Sequence, residues 1–457
     1  MRGRGGVREW RPVRVAIGLL CVSGLMVGCT PGDDDVAPSS STAVSPSGPE
    51  LPEGWERLSE ASPVALRVDE TALWDSTAPD APVDVRDVAV RGDAAIFVGA
   101  GGVAVVDAVT GRPRWHVELT SELPGGEGAL LREINLVAGR FLPVPLVDVD
   151  GSWAVVVGYV LDPSDPSMSP EYGVAALAAA DGHLLWKRSV VPAGQLVPNH
   201  TTNWVQTVVS DGHTAFVTAF TGPDERLTRA ERVRDTKLVA VDGRTGEVRW
   251  ERMGVDPQVI AGDIVAGLEP ASTASGSDAP ELVGVLLDKA TGEPWSVRFE
   301  SYSWVEPVEA TGDLAVLVAG TDAEVDGGDL ALVDLTTGAE LANMGRASGR
   351  VGTCGTDGRL IACQVRDEDT YKMHLGTYDI AAESGAMSAE GWPELTIHAV
   401  WQGGVLASTG SGTTKLLDQA GDVVQELPGY FVAASDQFVV MRDVPPITDY
   451  AIYQVAD

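Results

Sequence analysis

The chain has 457 residues, 44% of them hydrophobic, with 52 Gly and 28 Pro, a composition that favours many short elements broken by turns and hence an all-β class. Its formal charge is −34 at pH 7, and a surface so acidic repels nucleic-acid phosphate and anionic lipid, which excludes nucleic acid as a partner.

In chain order, MRGRGGVREWRPVR carries five Arg and one Glu and runs into the apolar stretch VAIGLLCVSGLMVG, too short to span a bilayer comfortably. Residues 1–28 therefore read as a leader that is removed, leaving a charge of −38. The segment TPGDDDVAPSSSTAVSPSGPE, residues 30–50, has almost no bulky apolar side chain and cannot offset the entropy of ordering itself. Residues 29–68 are expected to form a flexible tether and lead-in. ETALWDS, Glu70 to Ser76, then reads as a strand with Trp74 and no sheet of its own.

From there one phrase recurs. VAVDGRTGEVRW, residues 239–250, is a strand, a turn and a second strand: Asp242 can accept backbone N–H bonds, Gly246 can take positive φ, and Trp250 closes the phrase. Asp107, Thr110, Gly111 and Trp115 repeat the spacing. Gly182 and Trp186 keep part of it, with Ala178 at the Asp place. Asp288, Thr291 and Gly292 follow, with Trp295 one residue early; Asp334, Thr337 and Gly338 keep the turn but offer only Ala342 for the aromatic. Two degraded copies run from Asp379 to Gly385 and from Asp418 to Gly421. The Asp positions advance by 71, 64, 46, 46, 45 and 39 residues, and Asp457 lies a further 39 on. A unit of about 40 to 50 residues with four short strands predicts a β-propeller blade, because one such sheet cannot cover both its faces and needs neighbours to bury them. The final unit, which lacks an outer strand, predicts closure of the ring by Trp74. Eight blades over residues 69–457 are expected, seven being the alternative.

Of the four Cys, Cys354 and Cys363 lie in VGTCGTDGRLIACQV, where a two-residue turn at Gly358–Arg359 sets them opposite each other. A cross-strand disulfide is the expectation, two free thiols the alternative. Two copies are oversized, holding residues 162–173 and 222–235; the second carries Arg226, Arg229, Arg232 and Arg234 at a spacing that also suits a short exposed helix. Insertions on repeat proteins gather on one face, often the binding face. The six His are scattered without metal-type spacing, and DVDG, Asp148 to Gly151, reads as a hairpin turn rather than the start of a calcium loop. No catalytic, cofactor or metal site is predicted.

Two resemblances extend this reading. LMVGC resembles the lipobox of bacterial lipoproteins, with Met26 where Leu is commonest, and implies that the leader is cut before Cys29, whose sulfur carries the lipid. The recurring phrase resembles the tryptophan-docking repeat of quinoprotein-like (pyrroloquinoline-quinone-like) propellers. That resemblance implies that Trp115, Trp186, Trp250 and Trp295 wedge between adjacent blades. The family also holds quinone-dependent dehydrogenases, but their adjacent Cys pair is missing and none of their calcium ligands can be assigned. The expectation is a lipid-anchored, extracytoplasmic, monomeric and non-catalytic scaffold that binds protein partners of the cell envelope, touching the membrane through its anchor only. A ligand-binding sensor and, further off, a dehydrogenase are the alternatives.

Overall fold

The structure is a computed structural model. It describes residues 55–56, 74–75, 85–99, 102–118, 129–130, 144–162, 168–195, 205–221, 229–271, 282–295, 304–320, 328–347, 354–367, 369–389, 391–409, 413–427, 429–434, 438–442 and 450–454. The predicted leader, the tether and Cys29 lie outside them. All the described strands belong to one compact unit, Gly48–Asp457.

These strands form eight sheets, built antiparallel from consecutive strands. Sheet 1 holds Val85–Arg91, Ala94–Gly99, Gly102–Asp107 and Arg112–Glu118. Sheet 2 holds Leu146–Val149, Ser152–Leu161, Glu171–Ala178 and Leu184–Val191, with Ala129–Leu130 added along the second of these. Sheet 3 holds Val205–Ser210, Thr214–Phe220, Thr236–Asp242 and Val248–Met253. Sheet 4 holds, among the described residues, three strands, Asp256–Ala261, Ile264–Pro270 and Leu282–Asp288, and a bridge from Leu287 to Pro294. Sheet 5 holds Trp304–Thr311, Leu314–Gly320, Asp329–Asp334 and Glu340–Arg346. Sheet 6 holds Cys354–Thr356, Leu360–Arg366, Met373–Asp379 and Ser384–Met387. Sheet 7 holds Thr396–Trp401, Gly404–Ser408, Thr414–Leu417 and Val423–Glu426. Sheet 8 holds Tyr430–Ala434, Phe438–Arg442 and Tyr450–Gln454, and takes Trp74–Asp75 as its fourth strand.

The period-two alternation of a strand explains how these sheets make a core. Ile96 and Val98 of sheet 1 pack with Val155 and Val157 of sheet 2, while Ala95 and Phe97, of opposite parity, pack with Val440 and Ile452 of sheet 8. Sheet 3 behaves alike: Ala215, Val217 and Ala219 face sheet 2, and Phe216 faces sheet 4. Eight apolar clusters result, each shared by two neighbouring sheets, and the last joins sheet 8 to sheet 1. First strands of adjacent sheets also touch one another from sheet 3 round to sheet 8, and the first strand of sheet 8 touches that of sheet 1. The chain is a β-propeller.

Strand register corrects two repeat assignments. In sheets 1, 3, 4, 5 and 6 the turn Asp pairs with the first residue of the second strand, as Thr214 does with Asp242 and Ala94 with Asp107. In sheet 8 that position falls on Gln454, opposite Phe438, and not on Asp457. In sheet 6 the Asp is Asp379, but the residue four later is Glu383, held at φ +50°, while Gly385 lies inside the outer strand opposite Tyr378.

The lead-in contributes more than a tether. Trp55–Glu56 runs parallel to the outer strand of sheet 6, Trp55 opposite Gly385 and Glu56 opposite Ala386. Trp55–Glu56 of the lead-in and Trp74–Asp75 after it thus lie on the outer edges of sheets 6 and 8.

Candidate functional sites: the intersheet locks and the loop face

The locks between early sheets are built on the repeat turn, capped by Asp in sheets 3 and 4 and carrying Ala178 at the Asp place in sheet 2, where the Gly182 N–H bonds back to the Ala178 carbonyl. Asp242 Oδ1 accepts the N–H groups of Arg244 and Thr245 at 3.0 and 2.9 Å, and Gly246 N–H bonds back to the Asp242 carbonyl. Asp107, Asp288 and Asp334 build the same loop. The hydrogen bond from Arg114, then that from the Thr110 N–H, holds the Asp107 carboxyl down at about 2. Burial pushes Asp242 up, but the Arg249 guanidinium and Thr245 outweigh it and the net shift is downward.

The turn presents a glycine to the sheet before it. The Trp115 indole lies on Gly182, Trp186 on Gly246 and Trp250 on Gly292; a Cβ on these glycines would sit 2.8, 2.8 and 2.7 Å from the ring. Each indole N–H donates to the carbonyl of the residue that follows the turn Asp or its equivalent: Trp115 to Ala179 at 3.0 Å, Trp186 to Gly243 at 2.7 Å, Trp250 to Lys289 at 2.8 Å. Two residues on, Arg188 and Arg252 donate to the carbonyls of Gly246 and Gly292. That arginine is a part of the lock that sequence reading missed, although W-K-R and W-E-R stand in the sequence.

Later locks differ. Trp295 is half-buried against the cluster that sheet 4 shares with sheet 5, including Leu335. Sheet 5 offers Ala342, opposite Leu332, and the next turn carries Glu383 where glycine stands elsewhere. The two changes belong together, because a Cβ at that point clashes only when an indole covers it. In sheet 6 the position opposite Thr377 is Ala386, and the Trp392 indole, from beyond the outer strand, lies with Ser388 over Gly421 of sheet 7. Nothing in the repeat spacing pointed to Trp392. Trp74 pairs with Ile452, two before Gln454, which is the register of Trp250 opposite Ala240, two before Asp242. Ile452 is fully buried between sheets 8 and 1.

Cys354 and Cys363 face each other and their Sγ atoms are bonded at 2.09 Å, between the innermost strand of sheet 6 and its neighbour. Asp148–Gly151 closes a hairpin, with Asp150 and Gly151 both at positive φ and the Gly151 N–H on Asp148 Oδ1. Ser388, His374 and Asp367 meet in sheet 6 but not as a nucleophile relay. His374 Nδ1 faces the Ser388 carbonyl, the Ser388 hydroxyl accepts the Leu375 N–H, and Nε2 is 3.9 Å from Asp367. Among the described residues no group of three or more His, Cys, Asp or Glu is placed to hold a metal ion.

Antiparallel topology sorts the connections between faces. Links from first to second strand and from third to fourth share one face; links from second to third strand, and from one sheet to the next, share the other. The first face is built of turns of two to five residues. Among the links that join consecutive strands of sheets 1 to 8, the long ones all start and end on the second, including 162–170 of sheet 2, 221–235 of sheet 3 and 271–281 of sheet 4. Within the sheet 3 insertion Arg229–Arg234 is a helix that buries Ala230 and Val233, contacts the strand Ile264–Pro270 of sheet 4, and leaves Arg232 and Arg234 exposed. The predicted helix is therefore only half solvated. Arg226 and the Arg229 side chain fall outside the described residues.

No family model matches the chain, and no curated protein matches it. Among solved structures it is similar to BamB from Moraxella catarrhalis at 12% identity and a TM-score of 0.45, over 86% of this chain and 99% of that one. It is similar to the computationally designed protein Ika8 at 14% identity and a TM-score of 0.48, over 81% and 96% of the two chains. It is also similar to the quinohemoprotein alcohol dehydrogenase from Comamonas testosteroni at 11% identity and a TM-score of 0.45, over 85% and 78%. Likeness at this level concerns the fold alone.

Proposed function

We propose that the chain is a lipid-anchored, extracytoplasmic propeller of eight blades that works as a non-catalytic, monomeric scaffold for protein partners in the cell envelope. The observation that carries this reading is the segregation of connections: one face is held to short turns, while the long links between consecutive strands of the eight sheets start and end on the other. Loops freed from the packing of a rigid ring are where recognition is placed in repeat folds. The anchor rests on the LMVGC motif and the polar segment after Cys29.

In-envelope cross-linking read by mass spectrometry tests the scaffold role. Deleting residues 222–228, which spares the packed helix, should remove a specific adduct; an unchanged adduct pattern after that deletion and after deletion of 163–167 would refute it. Incorporation of labelled fatty acid, lost in Cys29→Ala, tests the anchor independently.

A further inference from the structure

One turn on the loop face copies the lock turn and breaks its rule. Between the second and third strands of sheet 6, Asp367 Oδ1 accepts the N–H groups of Asp369 and Thr370 at 2.8 and 2.9 Å, and the Tyr371 N–H bonds back to the Asp367 carbonyl. The Lys372 N–H donates to Thr370 Oγ1, as Glu247 N–H does to Thr245 Oγ1. The position that is glycine in Gly111, Gly246, Gly292 and Gly338 is here Tyr371, at φ +57°. A bulky aromatic in the left-handed region is an outlier that glycine would relieve.

The fold gains little from it. Tyr371 is 65% exposed, the most exposed large apolar side chain among the described residues. Its ring is met by the Arg366 guanidinium, 4.8 Å from the centroid, and Lys372 beside it is exposed. The Asp367 carboxylate is turned inward: burial pushes it up, yet the Thr370 and Asp369 N–H groups and His374 hold it below the usual range. An exposed aromatic ring stacked on one guanidinium, with the exposed Asp369 before it and the exposed Lys372 after it in the turn, therefore stands on the face of a strongly acidic protein. Tyrosine and arginine of this kind dominate the energetics of protein interfaces.

We propose that Tyr371, stacked on Arg366 and flanked by Lys372, is a recognition anchor for a partner segment that combines carboxylates with an aromatic side chain. The proposal rests on the scaffold reading and deepens it.

The test uses fluorescence anisotropy with a fluorescein-labelled pentapeptide of four glutamates around one phenylalanine, and the same peptide with lysines in place of glutamates. The wild-type protein should bind the acidic peptide saturably and the lysine peptide more weakly, despite the attraction of net charge for the latter. Tyr371→Gly and Arg366→Ala should each weaken the acidic peptide at least tenfold. Tyr371→Gly should also raise the melting temperature. No saturable binding, equal binding by Tyr371→Gly, preference for the lysine peptide, or a Tyr371→Gly protein that melts below wild type would each overturn the proposal. None of those outcomes touches the cross-linking test of residues 222–228, so the two readings can fail separately.

Discussion

The lock between sheets 3 and 4 can be tested by a double-mutant cycle on Trp250 and Gly292. Trp250→Ala removes a half-buried indole that packs on Gly292, stands 5.8 Å from Phe216 between centroids, and donates to Lys289. Full burial would put the loss at about 3 to 5 kcal/mol; with one edge in solvent, about 3 kcal/mol is expected. Gly292→Ala adds a Cβ 2.7 Å from that ring at φ +72°, combining left-handed strain of about 1 to 2 kcal/mol with overlap of about 1 to 2 kcal/mol. Once the indole is gone only the strain remains, so the pair should cost about 1 to 2 kcal/mol less than the two single losses together. Urea unfolding followed by far-ultraviolet circular dichroism reads all four proteins without depending on tryptophan emission. Additivity within about 0.5 kcal/mol would refute the idea that the glycine exists to receive the indole.

Glu383→Gly, in the turn that faces Ala342 rather than a repeat tryptophan, should be neutral or slightly stabilising in the same assay, because glycine takes φ +50° without strain. Asp107 has its carboxyl lowered to about 2 in the fold from 3.8, so the stability it contributes is complete above the unfolded value and is lost as pH falls through the folded one. Asp107→Asn should therefore destabilise the protein at pH 7 and shrink its stability loss between pH 4 and 2, which acid titration of the melting temperature would show. Cys354→Ser should cost about 2 to 3 kcal/mol by the chain-entropy account of so short a loop, and the intact protein should show a peptide mass containing both cysteines before reduction only.

Much of the ring was legible because its repeat is written in residues that physics leaves few substitutes for. The Asp that caps the turn, the Gly under the indole and the Trp itself recur at fixed offsets, and the register of Cys354 against Cys363 followed from one hairpin. What escaped reading was written in strand register rather than in spacing. Gln454 takes the last Asp position because a hairpin sets it opposite Phe438, and nothing in its side chain marks that role. Trp392 reaches Gly421 from outside the repeat unit, and Trp55–Glu56 pairs with sheet 6 through backbone groups that carry no sequence signature. Tyr371 was hidden for the opposite reason: its turn has the Asp and Thr of the lock, but the glycine that announces the others is gone.

Closure of the ring by Trp74–Asp75 is the claim on which the architecture and the two-faced scaffold depend. An engineered cysteine pair, Trp74→Cys with Ile452→Cys, tests it directly, since these residues face each other across the closing strands. Oxidation should give one intramolecular bond in high yield, seen as a mobility shift on non-reducing gels, and should raise the melting temperature. Absence of that bond, with the Cys354–Cys363 bond formed in the same molecules, would contradict the closure.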